Sequence, residues 1–235
     1  MASASAFVRR SSGEQAALYI RQLIFDGELR PGDRIPQDHI ADALGMSRIP
    51  VREALIGLDR EGWVRIVMHR GVFVATLDET TVRDHYELLA LAYVFAVGRA
   101  VAHWDDECDR TLIARAADFA AATDPAEQQR HAFGFHATVV SSARSPRLRS
   151  LLRAMPRLVP GDFFAVVPGA LEYQSDLLDE ITAALRDRDT DTATRSYADL
   201  FARNADLVVE AFRSRGLFDP SPDDDSANTH RRNHG

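Results

Sequence analysis

The chain has 235 residues, of which 46% are hydrophobic and 27% charged, a globular composition that excludes wholesale disorder. The net charge of −7 is unevenly divided: residues 1–76 carry ten arginines against nine acids, which leaves that segment at +1 and the remainder at −8. A near-neutral module joined to an acidic one is expected.

Residues 14–26 place Ala17, Ile20, Leu23 and Ile24 at helical spacing, and Gly27 ends the run. Arg30-Pro31-Gly32-Asp33 is a turn, in which proline fixes one φ and glycine supplies a positive one. Residues 37–44 form a short second helix with Ile40 and Leu44 four apart, and Gly45-Met46-Ser47 turns the chain. Ser47 is an N-cap for a third helix running to about Glu61. Pro50 falls in its first turn, where a missing N–H costs little, and Val51, Leu55 and Leu58 form its core stripe. Residues 63–68 and 71–75 are β-rich runs around His69-Arg70-Gly71 and predict a hairpin. Three helices and a hairpin make the layout of a winged helix-turn-helix.

Beyond Asp78 the chain reads as helical and alanine-rich. Val82, Tyr86, Leu89, Tyr93, Val97 and Ala100 line one face of a long helix, and residues 103–109 break it. A second helix runs to about Ala122, and a third follows Asp124-Pro125 and holds Phe133, His136, Val139 and Val140. Residues 147–155 are helical, and 156–169 are a Pro- and Gly-rich break. Leu177, Leu178, Ile181 and Leu185 mark the next helix; Tyr197, Leu200, Phe201, Leu207, Val208 and Phe212 mark the last. Residues 219–235 lack apolar groups and are expected to be a disordered tail. The expected fold is mainly α: a winged helix-turn-helix over 12–77, then an all-α helical bundle over 80–214.

The segment 31–78 carries PGDR, LGMSR, PVREAL, EGW and HRGVFVA. At these spacings it resembles the winged helix-turn-helix of the GntR family of bacterial transcription regulators, and the resemblance spans residues 14–78. It implies binding to double-stranded operator DNA. The chemistry is consistent with that. A recognition helix presents donors to bases and phosphates at its N-terminal end. Ser47 can give a hydroxyl or backbone N–H to a phosphate. Arg48 and Arg52 lie four apart on one side of the helix, and arginine reads guanine bidentately. His69, Arg70 and Gly71 at the hairpin tip suit a narrow minor groove. Gln37 is a phosphate-contact candidate, and Pro50 and Ile49 complete the leading turn. Where the family pattern has threonine, this chain has Ile49, which could touch a thymine methyl or cover the protein's own surface. Two alternatives stand beside this: the arginines are solvated and paired with Glu53 or Asp59, or the chain is a protein-interaction module, its winged helix binding protein and its effector binding lost.

Residues 80–214 resemble, more loosely, the helical FCD ligand-binding domain of the FadR subfamily, most clearly at Phe135-His136 followed by SSARSPRL. The resemblance implies a small-molecule effector and, in many such domains, a divalent metal held by an Asp and three His. Here the aligned positions are Ala132, His136, Leu178 and Leu200, and the Arg common after the YEL motif is Leu89. One imidazole cannot hold a metal against water, so no metal and no cofactor is expected. His136 reads as a hydrogen-bonded pocket or core histidine, or as a ligand with an unexpected partner such as His131. Tyr93, Arg99, Tyr197 and Asn204 are further candidates for an effector pocket.

No nucleophilic triad, phosphate loop or HExxH occurs, so no catalytic residue is expected; a helical-bundle enzyme is the weaker alternative. The single Cys108 excludes an internal disulfide and sits among acids that disfavour a thiolate. No stretch reaches the roughly 18 apolar residues of a membrane span, and a cytoplasmic homodimer is expected. It would act as a repressor on a pseudo-palindromic operator.

Overall fold

Ser11 starts the first helix with a capping box. Its hydroxyl accepts from the Glu14 N–H, and the Glu14 carboxylate accepts from the Ser11 N–H at 2.8 Å. The helix, α1, runs Ser12–Phe25 and buries Ala16, Ile20, Ile24 and Phe25. The buried stripe therefore includes Ala16 rather than Ala17, at strict four-residue spacing. The computed structural model describes residues 11–155, 158–159 and 163–218. The expected tail at 219–235 lies outside them, as do Pro156, Arg157 and residues 160–162 of the expected break.

Helix α2, Gln37–Ala43, ends at Leu44 and is followed by Gly45 at φ +61°. Helix α3, Arg48–Arg60, has Ser47 at its N-cap and buries Val51, Ala54, Leu55 and Leu58 against the core of this unit. Strands β1, Val64–Val67, and β2, Gly71–Val74, pair antiparallel with Val67 opposite Gly71. Trp63, 1% exposed, anchors the start of the hairpin. The PGDR turn does more than reverse the chain. Gly32 N–H donates to Val74 O, Val74 N–H to Asp33 O and Ile35 N–H to Val72 O. The segment thus lies along β2 like a short third strand, and it takes up β2's outer backbone groups.

The remaining helices are α4 (Glu79–Val101), α5 (Asp106–Ala121), α6 (Pro125–Ser142), α7 (Pro146–Ala154), α8 (Phe163–Val166), α9 (Gln174–Arg186) and α10 (Thr190–Arg213). Asp78, Asp105, Asp124, Ser145 and Asp189 cap α4, α5, α6, α7 and α10 through side-chain acceptors. The break after α4 is shorter than 103–109, because Asp105 captures the N–H groups of Glu107 and Cys108 and starts α5 at once. The Pro- and Gly-rich segment also contains the single turn α8.

Two compact units result. One is Asp78–Ser214, the helical bundle. The other holds the winged helix through Leu77 together with residues 215–218. Residues 215–218 are thus part of the first unit. The Arg215 guanidinium lies 4.2 Å from the Phe25 ring centroid, Leu217 is 1% exposed, and Leu77 forms a parallel bridge with Phe218. Among the described residues no helix is long and apolar enough to cross a membrane.

Candidate nucleic-acid interface and ligand cavity

In the first unit, the leading turn of α3 is open to solvent. Ser47, Arg48, Ile49 and Arg52 are exposed, Ile49 to 70%, while Pro50 and Gln37 are half-buried. Ser47 holds the N-cap position, yet its hydroxyl makes no cap bond and no other hydrogen bond among the described residues. The Arg48 Nε lies 2.6 Å from Asp38 Oδ1 of α2, not from Glu53 or Asp59. Both partners are largely exposed, so the pair orients the guanidinium more than it stabilises the fold. Arg52 has no ion pair among the described residues. Asp59 is used otherwise: its Oδ1 accepts from the Ile66 N–H at 2.7 Å and joins α3 to the hairpin. Of the open alternatives for Ile49, the structure favours an uncovered side chain over one packed on its own surface.

At the hairpin tip, Met68, His69 and Arg70 are exposed, and His69 takes a left-handed backbone with φ +61°. Strain of this kind costs about 1–3 kcal/mol and persists where the surroundings impose it. Gly71 has φ +117°, and a Cβ there would meet the Arg34 Nε at 2.9 Å. The backbone conformation is what favours glycine here; the exposed Arg34 side chain could swing aside from a Cβ. Arg34 is exposed and bridged to Phe73. Sequence reasoning missed it as a tip residue, because its approach depends on the PGDR segment lying along β2. The first unit thus offers an apolar side chain, a free hydroxyl and guanidinium groups on two solvent-facing projections.

In the helical unit, α4, α6, α7, α8, α10 and the start of α9 line a cavity of about 630 Å³ that is open on one side. That is the size of a small-molecule site. Its lining is mostly apolar and aromatic, and it includes no Asp or Glu among the described residues. Tyr93, His136 and Asn204 line it. Tyr197 is fully buried behind the wall, with its hydroxyl 3.2 Å from His136 Nδ1 and its ring stacked 4.8 Å from that of Tyr93. Arg99 is a correction. It lies six residues beyond Tyr93, about 240° further round α4. It is therefore exposed, with its guanidinium 5.9 Å from the Phe95 ring centroid, outside the cavity.

His136 is half-buried because one side faces the cavity rather than bulk water. Burial lowers its pKa to about 4, so the ring is neutral at pH 7. Burial likewise raises the Tyr93 and Tyr197 hydroxyls well above their ordinary range and lowers His85. A phenol that keeps its proton can donate it to Nδ1, which leaves Nε2–H of His136 with no partner among the described residues. Asn204, 9% exposed, accepts at Oδ1 from the Tyr173 hydroxyl at 2.5 Å. Gln174, 3% exposed, also lines the cavity, and sequence reasoning passed over it.

Three of the four metal-ligand positions implied by the resemblance do converge, but not as ligands. Ala132, His136 and Leu200 line the same cavity, and Leu178 is fully buried. His131 points elsewhere, its Nδ1 lying 3.6 Å from Asp118 Oδ2. A single imidazole, already bonded through Nδ1, does not fit a divalent metal. Among the described residues no three His, Cys, Asp or Glu side chains form a metal-sized cluster.

Comparisons with known proteins agree with this division. The family described as "Bacterial regulatory proteins, gntR family" matches residues 12–74, and the FCD domain matches residues 84–203. An uncharacterized HTH-type transcriptional regulator of Mycobacterium tuberculosis is 29% identical over 210 residues, covering 88% of this chain and 85% of that protein. The Nta operon transcriptional regulator of Aminobacter aminovorans is 38% identical over 78 residues, 33% of this chain and 37% of that one. Among solved structures, E. coli McbR/YncC superposes with a TM-score of 0.61 at 20% identity, over 87% of this chain and 99% of that one. A putative GntR transcriptional regulator from Rhodococcus sp. RHA1 gives 0.56 at 25% identity, over 85% and 98%.

Proposed function

Since the chain belongs to the gntR family of bacterial regulatory proteins and is a DNA-binding transcription regulator with a C-terminal FCD effector domain, we propose that it is a homodimeric, cytoplasmic repressor of a pseudo-palindromic operator. The observation that carries this reading is the uncovered leading turn of α3. The free Ser47 hydroxyl would bind phosphate, and Arg48 and Arg52 would read guanine in the major groove. Ile49 would meet a thymine methyl, Pro50 would shape the turn, and Gln37 would take a second phosphate. His69, Arg70 and Gly71 would enter the adjacent minor groove, with Arg34 beneath them.

The dimer reading is supported by α4. Leu88, Leu91 and Phe95 form an exposed apolar stripe, 57%, 64% and 49% accessible, at positions i, i+3 and i+7. Two copies joined there would present two winged helices to two half-sites. Effector binding in the cavity would shift the population between dimer geometries that match and mismatch those half-sites. The family is one of regulators, not of enzymes, and we assign no catalysis to this chain: the cavity polar groups among the described residues are two imidazoles, amides, tyrosines, one serine and two arginines, with no hydrogen bond between the serine and either imidazole.

The test is retention of genomic fragments on the purified chain, followed by fluorescence anisotropy on the enriched sequence in a salt series. The reading predicts a linear fall of log affinity with log salt, with a slope of roughly −4 to −5 if the dimer neutralises about five phosphates. A failure to enrich any sequence would refute it.

A further inference from the structure

The cavity of the helical unit holds three neutral polar side chains with unused hydrogen-bonding capacity. His136 keeps Nε2 free because Nδ1 is committed to Tyr197. Asn204 keeps its Nδ2 donors free because Oδ1 is committed to Tyr173. Gln174 is nine-tenths buried or more, and its amide has no side-chain partner among the described residues. Its amide faces the cavity rather than being sealed in the core, so a ligand entering there must replace the hydrogen bonds that water supplies. The surroundings say what kind. The walls between these groups are apolar and aromatic: Tyr86, Tyr93, Phe164 and Phe201 all line the space. Among the described residues no acid lines it, and the two arginines that do, Arg149 and Arg153 on α7, are exposed and solvated. A charge placed deep among neutral groups would lose its hydration without an opposite charge beside it. A carbonyl oxygen would not, and free N–H donors await one.

We propose that this cavity takes, without a metal ion, an uncharged organic ligand: an apolar body of aromatic-ring size bearing a carbonyl that accepts from free donors among His136, Asn204 and Gln174. Ketones, esters, lactones and amides share that chemistry. The inference rests on the reading of this cavity as the effector site and narrows it to a ligand class. The Ala132 and Leu200 positions then have a positive role: they replace coordinating groups by apolar surface on which the ligand body packs, while Leu178 is fully buried outside the lining.

Three naphthalenes of one size separate the possibilities: 2-acetylnaphthalene, a neutral ketone; 2-naphthoate, an anion; and 2-ethylnaphthalene, which has no acceptor. Each is titrated by calorimetry into the full chain after chelator treatment, with and without added zinc. The ketone should bind about tenfold more tightly than either other compound, and zinc should leave that preference unchanged. In a chain carrying His136→Leu, Asn204→Leu and Gln174→Leu, the ketone should fall to the level of 2-ethylnaphthalene, whose own retained binding shows that the cavity is intact. Tighter binding of naphthoate, a requirement for zinc, equal binding of ketone and hydrocarbon, or no ketone binding would each overturn the proposal. Operator affinity measured alongside tells the two readings apart: ketone binding that leaves DNA affinity unchanged supports the ligand class and refutes the effector role.

Discussion

Lowering the pH from 7 to 5 should weaken the helical unit through His136 by an amount the structure allows to be calculated. The folded pKa is about 4, against about 6.5 in the unfolded chain. A histidine with a depressed folded pKa stabilises the fold above its unfolded pKa. As pH falls through 6.5, the unfolded chain takes up a proton that the folded ring refuses, and stability falls until about pH 4, where the folded ring also titrates. Integrating over this window gives a loss of about 2 kcal/mol between pH 7 and 5. The groups facing the ring, Tyr93 and Tyr197, hold their protons throughout, so they add nothing to that slope. Other groups, including His85, also contribute, so the assay is a difference. Urea unfolding of the chain and of its His136→Gln variant is followed by circular dichroism at both pH values. The variant lacks the titrating ring, and its loss between pH 7 and 5 should be smaller by about 2 kcal/mol. Parallel losses would refute the assignment of a neutral, cavity-facing imidazole.

Three further outcomes are expected. Arg52→Ala should weaken binding to the selected DNA by about 1–3 kcal/mol and relax preference at one base pair, read by competition between single-base operator variants; unchanged discrimination would remove Arg52 from the reading helix. Leu217→Ala should destabilise the winged-helix unit by about 2–5 kcal/mol, seen as an earlier thermal transition, because this leucine is buried in a segment that closes the unit from the far end of the chain. An unmoved transition would mean that residues 215–218 are not part of its core. Elemental analysis of the dialysed protein should find zinc, manganese and nickel each well below one equivalent; a retained full equivalent would show that donors other than the aligned positions converge.

The fold was legible where local signals and spacing agreed. Val51, Leu55 and Leu58 were readable as a helical core stripe, and Gly71 as a tip residue, because each requirement lies within a few neighbouring positions. The capping box of Ser11 and Glu14 was equally local, yet the helix start at Ser12 precedes the apolar stripe that defines its reading from sequence. What stayed hidden depends on contacts between distant segments. Arg34 reaches the wing only because Gly32, Asp33 and Ile35 bond to β2. Residues 215–218 return to the first unit after 137 residues of the second, Asp78–Ser214, and nothing in their own sequence announces it. In the cavity, the alignment of Ala132, His136 and Leu200 indicated a shared wall, whereas Gln174 sits at the start of a helix whose apolar stripe drew attention away from it. Arg99 shows the converse: a polar residue on the right helix but on the wrong face.

The central claim is that the leading turn of α3 enters a DNA groove. It is tested most directly by placing a photo-crosslinking benzoylphenylalanine at position 49, where Ile49 is 70% exposed, and irradiating the chain with its selected DNA. The account predicts a crosslink to bases of each half-site, absent when the same group replaces Leu91 on α4. DNA bound with high affinity but crosslinked from position 91 and never from 49 would contradict it.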